Sequence, residues 1–116
     1  MNLMIAAAAM TAQAPAPAAP ASDQNGRDAR CLIVSSALTD SDDAEVRTAG
    51  LIAAQYYLGR IDGRSPGVDL EALLIREAER LPPADQQALL TSCGAVLEQR
   101  GKALEAIGDR MTKMGR

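Results

Sequence analysis

Cys31 and Cys93 are the residues of this chain best equipped for chemistry. They do not form a Cys-x-x-Cys, so their spacing does not point to thiol–disulfide exchange. In an exported chain two cysteines pair, and the bond would close a loop of about 62 residues. By chain entropy such a loop is worth roughly 4 kcal/mol. The alternative is two buried thiols in a cytosolic protein. The acids of Thr39-Asp40-Ser41-Asp42-Asp43 alternate as calcium ligands do, but the glycine and terminal glutamate of an EF-hand loop are missing at their places. The stretch reads instead as a turn and a helix N-cap.

Other chemistry is excluded residue by residue. With no histidine, the chain lacks the commonest general base, metal ligand and near-neutral pH switch. Its serines sit in no Gly-x-Ser-x-Gly elbow, and there is no phosphate loop and no dinucleotide fingerprint. The expectation is a protein that is not an enzyme, with no metal and no cofactor. A net charge of −3, with no basic patch and no stacking aromatics beyond Tyr56 and Tyr57, argues against nucleic acid. Residues 100–116 carry five basic and two acidic side chains, so the remainder is the more acidic part.

The elements that position these residues are helical. Cys31, Val34 and Leu38 share a face of a first helix, from about Arg27 to Leu38. A second helix runs from about Ser41 to Asp62, with Val46, Gly50, Ala53, Tyr57 and Ile61 on one stripe and Leu51 and Leu58 on another, and Gly63 as a left-handed stop. Of the adjacent tyrosines, one should pack inward and the other lie at a boundary, since neighbours on a helix point about 100° apart. Tyr56, Arg60, Asp62 and Arg64 could form a small anion or partner site at this helix end, or simply fix the helix end and its loop. A third helix starts from Asp69 as cap and runs to Leu81. Leu70, Leu73, Leu74, Ala78 and Leu81 face its core, and Glu71, Arg76, Glu77, Glu79 and Arg80 face solvent. Pro82-Pro83 ends it.

The last helix, from about Ala84 to Thr112, carries Leu90, Leu97, Leu104 and Met111 every seven residues. Gly94, Gly101 and Gly108 repeat with the same period, four after each leucine. Each interior glycine costs roughly 1 kcal/mol against alanine. The stripe therefore predicts close packing of another backbone, with this helix as the element on which the rest is built.

At the N-terminus, residues 3–10 form a short apolar run and Ala12-Gln13-Ala14 follows as a cleavage site, so residues 1–14 read as an export signal. The alternative is an Ala/Pro tail on a cytosolic chain. The run is too short to span a bilayer, so no stable membrane anchor is expected. Residues 15–26 read as an Ala/Pro-rich linker, and 27–116 as one helical domain. With no Trp, no Phe and two Tyr, its core is thin, and a covalent staple would help.

An export signal, four short helices and one cysteine each on the first and last resemble two groups of small periplasmic proteins. One is the acid-stress chaperones of enteric bacteria; the other is the immunity proteins that neutralise type VI secretion effectors. Tyr57-Leu58-Gly59-Arg60-Ile61-Asp62-Gly63 is similar to an aromatic-x-Gly-x-x-x-Gly segment on the second helix of the latter. The likeness spans about residues 28–100. This chain lacks the Trp and Phe with which such chaperones touch clients. Its alanine-rich composition is also similar to that of small alpha-proteobacterial proteins, which implies no particular function.

The sequence thus predicts an all-α bundle of about four helices, with a long C-terminal helix and one Cys31–Cys93 disulfide. The function expected is that of a periplasmic or secreted module acting through protein contacts: binding, immunity or protection. A structural, self-assembling role, with a homodimer formed through the glycine-notched helix, is the alternative.

Overall fold

Helix α1 (Ala21–Ala37) is the element against which the other three pack. The computed structural model describes residues 20–115; among them are four α-helices and no strand. The expected signal (1–14) and most of the expected linker lie outside the described residues.

Helix α1 begins earlier than expected. Ala21–Gly26 are helical, and Asn25 and Gly26 are buried, so this part of the expected linker belongs to the domain. The Ala-Pro pattern stops at Pro20, whose carbonyl accepts from the Asp23 and Gln24 N–H groups at 3.0 and 3.1 Å and starts the helix. The inner face of α1 is Asn25, Asp28, Ala29, Leu32 and Ser35, at helical spacing. It is polar in its first half and, Ser35 apart, apolar in its second.

A 3-10 turn, Leu38–Asp40, leads into α2 (Ala44–Arg64). Asp43 caps α2 by accepting from Glu45 N and Val46 N at 2.9 and 3.4 Å, so the acidic cluster does build a turn and a cap. Gly50, Ala53, Tyr57 and Ile61 are buried along one stripe, as their spacing predicts, but Leu51 on the second stripe is exposed. Helix α2 is therefore covered mainly on one side. Gly63 is not its stop: the helix runs through it to Arg64, and the Ser65 N–H closes the end on the Ile61 carbonyl at 2.8 Å. Arg64 is held in helical register by its bonds to α1, described below.

Asp69 caps α3 (Leu70–Glu79), accepting from Ala72 N at 3.0 Å. Leu73 and Leu81 are buried, Leu70 and Leu74 half-buried, and Ala78 exposed. A 3-10 turn at Pro83–Asp85 then opens α4 (Gln86–Lys113), the longest helix at 28 residues.

Helix α4 is not the platform of the fold. It packs on α1 and on the turn before it. Cys93 is its single buried residue, with Leu89, Leu90 and Leu97 half-buried around it. A Cβ built on Gly94, Gly101 or Gly108 would meet no atom within 4 Å. The expected close packing at these glycines is thus absent among the described residues. The line of contact with α1 runs through Cys93, and the glycines lie beside that line, facing solvent. The glycine that does permit close approach is Gly50 of α2, where a Cβ would lie 2.6 Å from Leu38 Cβ and 2.8 Å from the Ser35 carbonyl oxygen.

Gly50→Ala should therefore lower the unfolding free energy by about 1–3 kcal/mol, because backbone and Cβ atoms must shift. Gly94→Ala should raise it by up to about 1 kcal/mol, because it only improves helix propensity. Urea unfolding of both variants checks this; a neutral Gly50→Ala would show that the α1–α2 contact is loose.

Candidate functional site

The cysteines meet at the contact between α1 and α4. Cys31 of α1 and Cys93 of α4 are joined by a disulfide, with their Cα atoms 5.7 Å apart. Tyr57 lies beneath it, 2 % exposed, and its hydroxyl donates to the Cys93 carbonyl oxygen at 2.6 Å. Tyr56 is half-buried and meets Tyr57 edge-on, with ring centroids 5.1 Å apart. One tyrosine packs inward and its neighbour lies at the boundary, as helical geometry requires. Burial, and then the nearby Tyr56 and Asp28, push the Tyr57 phenol above its ordinary pKa of 10.0.

One turn below the disulfide, α1 presents Asp28 to α2. Arg60 Nε donates to both carboxylate oxygens at 3.2 and 3.1 Å, and Arg64 Nη2 to one of them at 2.9 Å. Arg64 Nη1 also donates to Asn25 Oδ1 at 2.8 Å, and Asn25 Nδ2 to Ser65 Oγ at 3.0 Å. Arg60 Nη1 reaches the Tyr56 hydroxyl at 3.4 Å, with its guanidinium carbon 5.8 Å from the ring centroid. The hydrogen bonds to Tyr56 and to Asp28 raise the pKa of Arg60 further. Of the four residues expected at a partner site, Tyr56, Arg60 and Arg64 come together, but they turn onto α1 and clamp the end of α2. Asp62 is exposed and enters no ion pair among the described residues.

A second buried carboxylate joins α1 to α3. Glu77, expected on the solvated face, is 3 % exposed. It accepts from Arg30 Nη1 at 2.9 Å, with Arg76 and Arg80 further off at 3.6 and 3.9 Å. Gly26 makes room for it: a Cβ there would lie 3.0 Å from Glu77 Oε1. An open groove of about 530 Å³ passes over this cluster, with Arg27, Arg30, Arg76 and Arg80 along its walls.

Sequence reading missed Asn25, Asp28 and Glu77. The available signal was charge complementarity: Arg60 and Arg64, one turn apart, need an acid on the helix they face. Both buried carboxylates are held by guanidinium groups, and no nucleophile is paired with a base among the described residues. No group of three or more His, Cys, Asp or Glu residues there could hold a metal ion.

The remaining feature is apolar. Beyond Leu97, α4 keeps its heptad stripe while leaving the body. Leu104 is 65 % exposed, Ile107 43 %, Met111 49 % and Met114 65 %. No protein-family model matches the chain, and neither a curated protein nor a solved structure is detectably similar to it.

The Tyr57 contact gives the protein an alkaline limit. A phenol whose pKa is raised by folding adds stability below its ordinary value and loses that contribution as pH rises through the folded value. Melting temperature should therefore fall above about pH 10. Far-UV circular dichroism should stay flat between about pH 8 and pH 5, where no side chain with an ordinary pKa titrates. Tyr57→Phe should cost about 1 kcal/mol near neutrality and flatten the alkaline fall. An alkaline fall of equal size in this variant would assign it to other groups.

Proposed function

We propose that this is an exported, non-enzymatic helical protein of the periplasm or the extracellular space, and that it works through protein contacts made by the outer half of α4. The observation that carries this reading is the stripe Leu104, Ile107, Met111 and Met114 on a helix that has left the body. Contiguous apolar surface of this kind marks interaction sites in folded proteins. Support for export comes from the Cys31–Cys93 bond, since structural disulfides persist in oxidising compartments. No helix among the described residues is long and apolar enough to cross a membrane. Support for a non-enzymatic role comes from Asp28 and Glu77, whose charges are committed to joining helices. Binding, immunity and protection are all served by such a module. The self-assembling role is favoured by the heptad spacing of the stripe.

Site-specific photo-crosslinking in cells tests the reading. A photoreactive residue at Met111 should give discrete protein adducts, and one at exposed Glu71 of α3 should not. Absence of adducts at Met111, or the same adducts at both positions, would overturn the assignment of α4 as the contact helix.

A further inference from the structure

We infer that the occupant of the α4 stripe is a second copy of this chain, paired along the same segment. The inference rests on α4 being the contact helix and names its partner. Leu90, Leu97, Leu104 and Met111 occupy one set of heptad positions and Cys93, Arg100, Ile107 and Met114 the other, the arrangement of a two-helix seam. The chain's own α1 covers the seam around Leu90, Cys93 and Leu97. From Leu104 onward the seam continues in register with its apolar side chains exposed among the described residues. Arg100 is the one charge in the seam and divides the covered part from the open part.

Three observations select a second copy. The open segment is an uncovered stretch of helix with little of its own to hold it: the sixteen residues after Leu97 span about 24 Å and contain Gly101 and Gly108, each costing helix stability against alanine. Its flanks are mixed in sign, with Glu98, Glu105 and Asp109 among Arg100, Lys102, Arg110 and Lys113, so two copies bring no large like-charge field together. Gly94, Gly101 and Gly108 form a bare strip beside the seam, open beyond 4 Å, where a partner helix can approach closely. Four large apolar side chains from each copy would bury on the order of 1,000 Å² in total, the low edge of specific interfaces. An interface of so few apolar side chains is expected to be weak and to dissociate at micromolar concentration, since area alone does not set affinity.

Sedimentation equilibrium of the oxidised chain, from about 5 to 500 µM, reads this directly. The expected result is a weight-average mass rising from one chain to two. Leu104→Asp combined with Met111→Asp should weaken association at least tenfold, while Leu51→Asp, at an exposed apolar site on α2, should leave it unchanged. The outer half of α4 makes no core contact, so the double variant should keep its disulfide and the helices of the body. Ile107→Ser, a milder change on the same seam, should weaken association in the same direction. A protein that stays monomeric to 500 µM overturns self-pairing, as does a dimer that survives the double variant. Adduct identity at Met111 separates the two claims. Adducts with another protein, or with residues 1–19 of the same chain, overturn self-pairing; the former leaves the contact role standing. No adduct overturns both.

Discussion

The Cys31–Cys93 bond is what keeps α4 on this protein. Among the described residues α4 packs mainly on α1 and on the turn that introduces it, with Cys93 as its one buried residue and three half-buried leucines around it. So small an apolar contact does not by itself outweigh the entropy of fixing a long helix against a neighbour. The covalent link changes the comparison by restricting the unfolded chain, worth roughly 4 kcal/mol for a loop of this length. Tyr57 completes the joint, because its hydroxyl on the Cys93 carbonyl ties α2 to the same point. Three helices thus meet at one bond.

Around that joint, α1 is held by charge as much as by apolar contact. Asp28 takes Arg60 and Arg64 from α2, and Glu77 of α3 takes Arg30 from α1. Isolated buried carboxylates would be costly, and an ion pair returns that cost only when its geometry is good. The bonds of 2.9 to 3.2 Å, with Asn25 and Ser65 satisfying further polar atoms, meet that condition. Removing Asp28 would leave Arg60 and Arg64 without their counter-charge at the α1–α2 contact, with only Tyr56 and Asn25 as neutral partners. These pairs fix how α1 sits between α2 and α3, where a small core, with Tyr57 its one buried aromatic among Ala, Leu, Val and Ile, gives little shape specificity.

Much of this was legible in the sequence, for identifiable reasons. The helices were marked by period, by the Thr39–Asp43 cluster and Asp69 as caps, and by Pro82-Pro83 as a break. The cysteine pair followed from counting. Other features depended on which face acquires a neighbour, and periodicity does not say that. Gly94, Gly101 and Gly108 share a period with Leu90 and Leu97, but the contact runs through Cys93 and leaves the glycines outside. Gly50 sat unremarked in a stripe although it makes the closest approach. Glu77 looked solvated because its partner, Arg30, is 47 residues away. The start of α1 was hidden because Ala21–Gly26 has a linker's composition, and it becomes helix through the burial of Asn25 against Arg64 and Ser65.

Helix α4 depends on its covalent link to α1, and hydrogen exchange reads that dependence residue by residue. Oxidised protein should be compared with the Cys31→Ser, Cys93→Ser double variant. Amide protection in residues 86–100 should fall in the variant by far more than in α2. Global stability should drop by roughly 4 kcal/mol. Equal protection of that segment in both proteins, with stability within about 1 kcal/mol, would show that packing alone holds α4 and would contradict the account.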